Sequence, residues 1–435
     1  MTDAVLPDPA RDPEGLLRAL FGIAVAEADP MRVVARHLPE RPPGRLLVIG
    51  AGKASARMAE AVEAEWGPCE GLVLTRYGYA RPCKGIEIVE AGHPVPDRAG
   101  FDATARLLDL VTGLGEEDLV LALISGGGSA LLSAPAEGLT LEDERQLNRD
   151  LLASGAPIGA MNLVRKHLSR VKGGQLAAAC HPARVVSLVI SDVPGDDPGE
   201  VASGPTVGDQ SSPADALATI ARHRIALSGP VLQALSQPAR VVRPGDPRLA
   251  RAETRVIAAP GRSLAAAARA AEAVGCDVRL LGDAIEGEAR AVGAEQAERA
   301  LGLREEAARG GRPILLLSGG ECTVTRRGDG VGGPNAEFVL AATLALDGAE
   351  GIHVLACDTD GVDGAAEVAG AVTGPDTISV ARSRGVDLAG ALDRNDAHTA
   401  FGRVGCQVVT GPTLTNVNDF RALLILPPER PTRAG

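Results

Sequence analysis

Lysine is the rare cation of this chain. Of 44 basic residues only four are lysines, Lys53, Lys84, Lys166 and Lys172, and arginine supplies every other basic side chain. A lysine kept against that bias points to a compact ammonium on a flexible stem, not a planar fork. Three of the four adjoin glycine, at Gly52-Lys53, Lys84-Gly85 and Lys172-Gly173. A point charge beside a glycine turn is a recurring way to hold phosphate or a small oxyanion. Lys84 reads as a solvated surface charge. Lys53, in Gly50-Ala51-Gly52-Lys53-Ala54-Ser55, reads as functional.

Ser125-Gly126-Gly127-Gly128-Ser129 carries a stronger phosphate signal. Consecutive glycines let main-chain amides approach an anion, and a helix expected to start near Ser129 would add its positive end. Asp192, Asp196, Asp197 and Glu200 follow within one short loop. Acids at a strand tip near a phosphate loop suit Mg²⁺, which binds through one or two carboxylates plus phosphate oxygens. Asp192, nearest the strand, is the expected metal ligand; the other three read equally well as capping groups. Asp358-Thr359-Asp360-Gly361 is a similar turn, from which Asp360 is expected as a metal ligand or general base. Arg165 and Lys166 are candidates for holding a substrate carboxylate or phosphate, and Lys172 for a nucleotide phosphate. His167 reads as structural.

The loop at 50–55 is not a P-loop, because Leu47 and Ala54 stand where that pattern needs Gly and Ser or Thr. It is not a full dinucleotide fingerprint either, since its third glycine is replaced by Ser55. Arg76, able to meet a 2′-phosphate, leaves an NADP-dependent reading open.

The elements that must position these loops alternate in strand-length and helix-length runs. Apolar runs at 45–49, 71–75, 118–124 and 185–190 read as strands, the last two buried on both faces. A helical pattern at 54–65 follows the first. This predicts a Rossmann-like, doubly wound parallel sheet over residues 1–240. A Pro/Arg-rich stretch at 237–247 reads as a linker. The alternation then resumes at 254–258, 263–274, 277–281, 285–308, 314–317, 336–346 and 352–356, predicting a second α/β domain over 241–435, with a site in the cleft between the domains.

Composition narrows the function. A formal net charge of −12 and 2% aromatic residues argue against a nucleic-acid partner and against an anionic membrane surface. Seven dispersed cysteines, without metal-ligand spacing, read as reduced thiols. With no apolar run of spanning length and an acidic, Pro-bearing start unlike a signal peptide, the expectation is a cytoplasmic protein.

Taken together the loops resemble the class II glycerate 2-kinases, a family with a Rossmann-like amino-terminal domain and a carboxyl-terminal MOFRL domain. The matching stretches are GAGKAS (50–55), AGHPVPD (91–97), LISGGGSALL (123–132), NLVRKHLSRVKGGQLA (162–177), SDVPGDDPGEVASGPTVGD (191–209), LSGGECTV (317–324), GGPNAEF (332–338), DTDGVDG (358–364) and TNVND (415–419). The resemblance implies Mg²⁺- and ATP-dependent phosphorylation of the 2-hydroxyl of D-glycerate. It places the proposed catalytic lysine on Lys53 and adds Glu321 and Asn335 as candidate nucleotide contacts. Pro334 stands where some members carry arginine, Ala336 where they carry glutamine, and Leu414 where glycine is expected. Some relatives are named hydroxypyruvate reductase, so an NADP-dependent reductase remains a rival, as does a non-catalytic sensor of a phosphorylated sugar acid. A homodimer is compatible with this reading.

Overall fold

A computed structural model describes residues 6–364 and 366–428; the first five residues of the acidic start and the end of the expected second domain lie outside them. The chain divides into two compact units. The first comprises Asp29–Ala259 and returns for Leu414–Asn416; the second comprises Pro260–Thr413, the stretch from Val417 onward and the amino-terminal segment through Ala28.

The first unit is built on strands β1 (Leu46–Ala51), β2 (Glu70–Arg76), β3 (Ile86–Ala91), β4 (Leu119–Ser125), β5 (Arg184–Ile190) and β6 (Ala252–Ala258). They lie in the order β3-β2-β1-β4-β5-β6, every neighbouring pair parallel. The continuous apolar runs have the physical cause expected of them. β4 is buried at all seven residues, and β5 at all but its first, because crossover helices cover both faces of a parallel sheet. The doubly wound fold predicted for this part of the chain is present.

The division between units differs from the expected split at 240. β6 pairs with β5 through Val185↔Ala252 to Ile190↔Ala258, which ties 241–259 to the first sheet. Helix Pro13–Glu27 joins the second unit. It starts cleanly, with Asp12 accepting from the Gly15 amide and Pro13 at the first helical position. It then buries Leu16, Leu17, Leu20 and Phe21 in one core with Leu264, Ala267 and Phe420.

The second unit contains β7 (Asp277–Gly282), β8 (Ile314–Gly320), β9 (Ile352–Asp358), β10 (Gly370–Thr373), β11 (Gln407–Val408) and β12 (Asp419–Ile425), ordered β11-β10-β9-β12-β8-β7. Within this sheet β7 and β8 pair in parallel, while β12 runs antiparallel to both β8 and β9. The late strand β12 enters the middle of the sheet and is buried at all seven residues. That insertion breaks the simple alternation the sequence suggests. Arg421 of β12 is fully buried, ion-paired to Asp419 at 2.6 Å and donating to the carbonyls of Gly319 and Gly320.

Candidate functional site

In the first unit the strand order reverses between β1 and β4, and the loops leaving their carboxyl ends open the crevice where ligands of such sheets bind. Both candidate glycine loops occur there and are stitched to each other. The Lys53 amide donates to the Gly126 carbonyl at 2.8 Å, and the Ala54 amide donates to Ser125 Oγ at 3.0 Å. Ser55 Oγ lies 3.1 Å from the same hydroxyl. Ser125, expected to touch phosphate, is fully buried and pins the two loops instead. Gly52 has φ +146°, and a Cβ there would fall 2.1 Å from Ser125 Oγ, so only glycine fits.

The helix expected near Ser129 is a single turn, Gly128–Leu131, entered through Gly127 at φ +81°. One turn contributes little macrodipole, so anion affinity here must come from the close main chain and from neighbouring charge. The stem of Lys53 and the ring of His93 flank Gly127. A Cβ on that residue would lie 3.2 Å from Lys53 Cγ and 3.1 Å from His93 Nε2. Ser129 Oγ lies 2.7 Å from Ser203 Oγ.

Asp192, just past β5, lies against the same loop. A Cβ on Gly126 would fall 1.7 Å from Asp192 Oδ2, and that oxygen accepts from Asn416 Nδ2 at 2.8 Å. One carboxylate beside a main-chain anion cradle fits Mg²⁺, which takes few protein ligands and fills its shell with phosphate oxygens and water. Among the described residues no group of three or more His, Cys, Asp or Glu could hold a metal ion.

Lys166 departs from its expected substrate role. It is buried, and Nζ donates to Glu200 Oε1 and Asp209 Oδ2, both at 2.8 Å. Burial lowers its pKa, but the hydrogen bonds it donates to its two carboxylate partners outweigh that and raise it; for Asp209 burial raises the pKa and the bonds from Lys166 and Ser211 hold it below the usual range. Asp209 therefore contributes stability above its ordinary unfolded pKa near 4, lost as pH falls through the lower folded value. Lys166 contributes below its ordinary pKa near 10.4, and that share is lost only as pH rises through the raised folded value. Lys166→Met strands two carboxylates, of which Glu200 is partly solvated; the expected loss is about 2–4 kcal/mol near neutral pH, read from urea unfolding.

Lys172 is also buried, with Nζ donating to the Leu132 carbonyl at 2.8 Å and lying 3.6 Å from Glu144 Oε1. Burial lowers its pKa. Together with Arg165 and Ser129 it lines a recess below the glycine loop.

In the second unit, Glu321 follows β8 and is exposed, while Asp360 and Asn335 turn inward. Asp360 is fully buried and accepts from the Val362 amide at 2.8 Å, closing its own turn. In this position Asp360 shapes its own turn and presents no exposed carboxylate surface to a metal ion or a hydroxyl. Asn335 donates to Asp419 Oδ1 at 2.7 Å and its amide to Asp363 Oδ1 at 2.9 Å, a buried network instead of a nucleotide contact. Pro334 begins helix Pro334–Leu346 at its first position, where proline costs nothing.

His93 beside Gly127, Asn148 and Asn162 on Arg165, and Asn416 on Asp192 adjoin the candidate residues without having been singled out from the sequence. Three of them lie inside the motif stretches at 91–97, 162–177 and 415–419. A lone histidine or asparagine gives no spacing signal, and only its partners show what it does.

The chain matches two families, the domain of unknown function DUF4147 over residues 16–236 and the MOFRL family over residues 314–419. A D-glycerate 2-kinase of Thermotoga maritima is 37% identical over 95% of this chain and 100% of its own length. The chain belongs to the glycerate 2-kinase family. A crystal structure of glycerate kinase from Thermotoga maritima superposes on it with a TM-score of 0.82 at 37% identity, covering 94% of this chain and 98% of that one. A protein of Agrobacterium vitis provisionally named hydroxypyruvate reductase is 51% identical over 94% of both chains. Among the described residues of this family member, no helix is long and apolar enough to cross a membrane.

Proposed function

We propose that the protein transfers the γ-phosphoryl group of ATP directly and in line to the 2-hydroxyl of D-glycerate, with Mg²⁺. The observation that carries this reading is the convergence, at one switch point, of the Lys53 stem, the Gly126–Gly127 main chain and the Asp192 carboxylate. Phosphoryl transfer is chiefly positioning and charge stabilisation, and these groups are suited to it. The glycine loop cradles phosphate oxygens. Lys53 neutralises charge on the transferring group. Asp192 would hold Mg²⁺, which supplies further neutralisation of phosphate charge when bound. Asn416 keeps one oxygen of Asp192 in place. Kinase names among the relatives support the same reaction class. The seven cysteines are all unpaired, which supports a reducing cytoplasmic location.

The reductase name of the Agrobacterium vitis relative makes NADP-dependent reduction of hydroxypyruvate the second reading. Its sequence basis is weakened by Arg76, whose guanidinium stacks 4.7 Å over the Tyr79 ring, and by Ser55, buried against Ser125. One assay separates them. ADP formation dependent on both D-glycerate and Mg²⁺, with phosphate found on C2 of the product, is the expected result. NADPH consumption with hydroxypyruvate and no ADP from any hydroxy acid would overturn it.

A further inference from the structure

Two neighbouring residues beside the glycine loop hold a backbone conformation that their side chains disfavour. Ala202 has φ +54° and ψ +23°, Ser203 has φ +60°, and Gly204 continues the left-handed run at φ +57°. The glycine does so freely, but a Cβ in this region crowds the following carbonyl. Among the described residues Ala202 and Ser203 are the only adjacent non-glycine pair with positive φ. Strain of this kind gathers at functional sites, and persists where the surroundings force it.

Both side chains meet the glycine loop. A Cβ on Gly128 would fall 2.6 Å from the Ala202 Cβ and 2.9 Å from the Ala51 carbonyl oxygen, so Gly128 is clasped between that methyl and the tip of β1. Ser203 is fully buried, with Oγ 3.0 Å from Asn162 Oδ1 and 2.7 Å from Ser129 Oγ. An amide oxygen can only accept, so the Ser203 proton goes to Asn162 and the Ser129 proton to Ser203. The Ser129 hydroxyl is thereby committed inward, where it fixes the end of the loop.

The turn is held from behind by main chain and side chain alike. The Gly173 and Gly174 amides donate to the carbonyls of Ser203 and Gly204 at 3.0 and 2.8 Å. Asn162 Nδ2 donates to the Glu200 carbonyl and to Glu200 Oε2, at 3.0 Å each, and the other oxygen of that carboxylate accepts from Lys166 at 2.8 Å. Lys166, Glu200, Asn162, Ser203 and Ser129 so form one continuous chain from the buried ion cluster to the glycine loop.

We propose that Ala202 and Ser203 form a strained brace that keeps the glycine loop in the geometry phosphoryl transfer requires. Ala202 acts by its methyl on Gly128 and Ser203 by its bond to Ser129. Both are positioning residues, acting through the loop, and the Lys166 cluster anchors them. The inference rests on the phosphoryl-transfer reading and adds what holds its phosphate cradle in place.

The test compares the full-length enzyme with Ala202→Gly and Ser203→Ala. The first relieves the strain and removes the methyl; the second keeps the turn and breaks the hydroxyl chain. Each is expected to lower kcat at least about tenfold, since small displacements of positioned groups carry such losses, and to leave the KM for D-glycerate unchanged. Amide hydrogen exchange without ligand, read by mass spectrometry, is expected to quicken across residues 126–131 in both. Ala202→Gly should nevertheless hold or raise the thermal midpoint, because glycine accepts this φ freely. A methyl kept for packing alone would lower the midpoint and leave kcat as it was. Wild-type kcat or wild-type loop exchange in folded Ala202→Gly would overturn the proposal, even if Ser203→Ala fails to fold. Quickened loop exchange in the variants, with no ADP from the wild type, would uphold the brace and overturn phosphoryl transfer instead.

Discussion

Lys53→Met is expected to lower kcat by about 10²–10³, the usual cost of removing one preorganised donor from a developing charge. The thermal midpoint should hardly move. Methionine retains the apolar stem that packs beside Gly127, and the main-chain bond from residue 53 to the Gly126 carbonyl does not depend on the side chain. Only the ammonium is lost. Lys53→Arg should not restore turnover, because a broad planar fork cannot occupy the place of a compact charge at a crowded glycine loop. Steady-state kinetics at saturating ATP and glycerate, alongside thermal unfolding, check both statements. Turnover at the wild-type level in the methionine variant would remove Lys53 from the reaction.

Gly126→Ala should be comparably severe, for a different reason. The added methyl would fall 1.7 Å from Asp192 Oδ2 and 2.6 Å from Asn416 Nδ2. Both atoms are ends of side chains, so the fold can yield by swinging the Asp192 carboxylate away from the loop. Stability should therefore drop by no more than about 1–3 kcal/mol, the ordinary cost of overpacking. Activity should fall at least about 10²-fold, since a displacement of roughly 1 Å at a positioned group can cost that much. A double-mutant cycle with Asp192→Ala distinguishes this from general damage. If the methyl acts by displacing the carboxylate, it should cost little further activity once Asp192 is gone. Full additivity of the two losses would refute the coupling.

These two residues illustrate how much of the site could be read before any fold was known. The glycine loops and Asp192 were legible because parallel strands buried on both faces announce themselves as apolar runs, and ligands meet such sheets at their carboxyl tips. Lys53 was legible because it is one of four lysines among 44 basic residues. Lys166 shares that rarity and belongs to a buried ion cluster instead, with Asp209 lying 43 residues away. Asp360 and Asp192 stand in similar acidic turns after similar strands. One faces its own backbone, the other the glycine loop.

The amino-acid order determined the alternation of elements, the doubly wound first sheet, the positions of the strand-tip loops and the membership of a kinase family. Those features arise from local periodicity and from short motifs whose backbone demands are met within a few residues. The tertiary structure alone decided which charges are satisfied internally and by which partners. Asn416 reaches Asp192 across 224 residues, and Arg165 is met by two asparagine oxygens. Whether a buried cation is a strut or a binding group depends on partners brought together only by the fold, because the cost of an uncompensated charge is set by its surroundings and not by its neighbours in sequence.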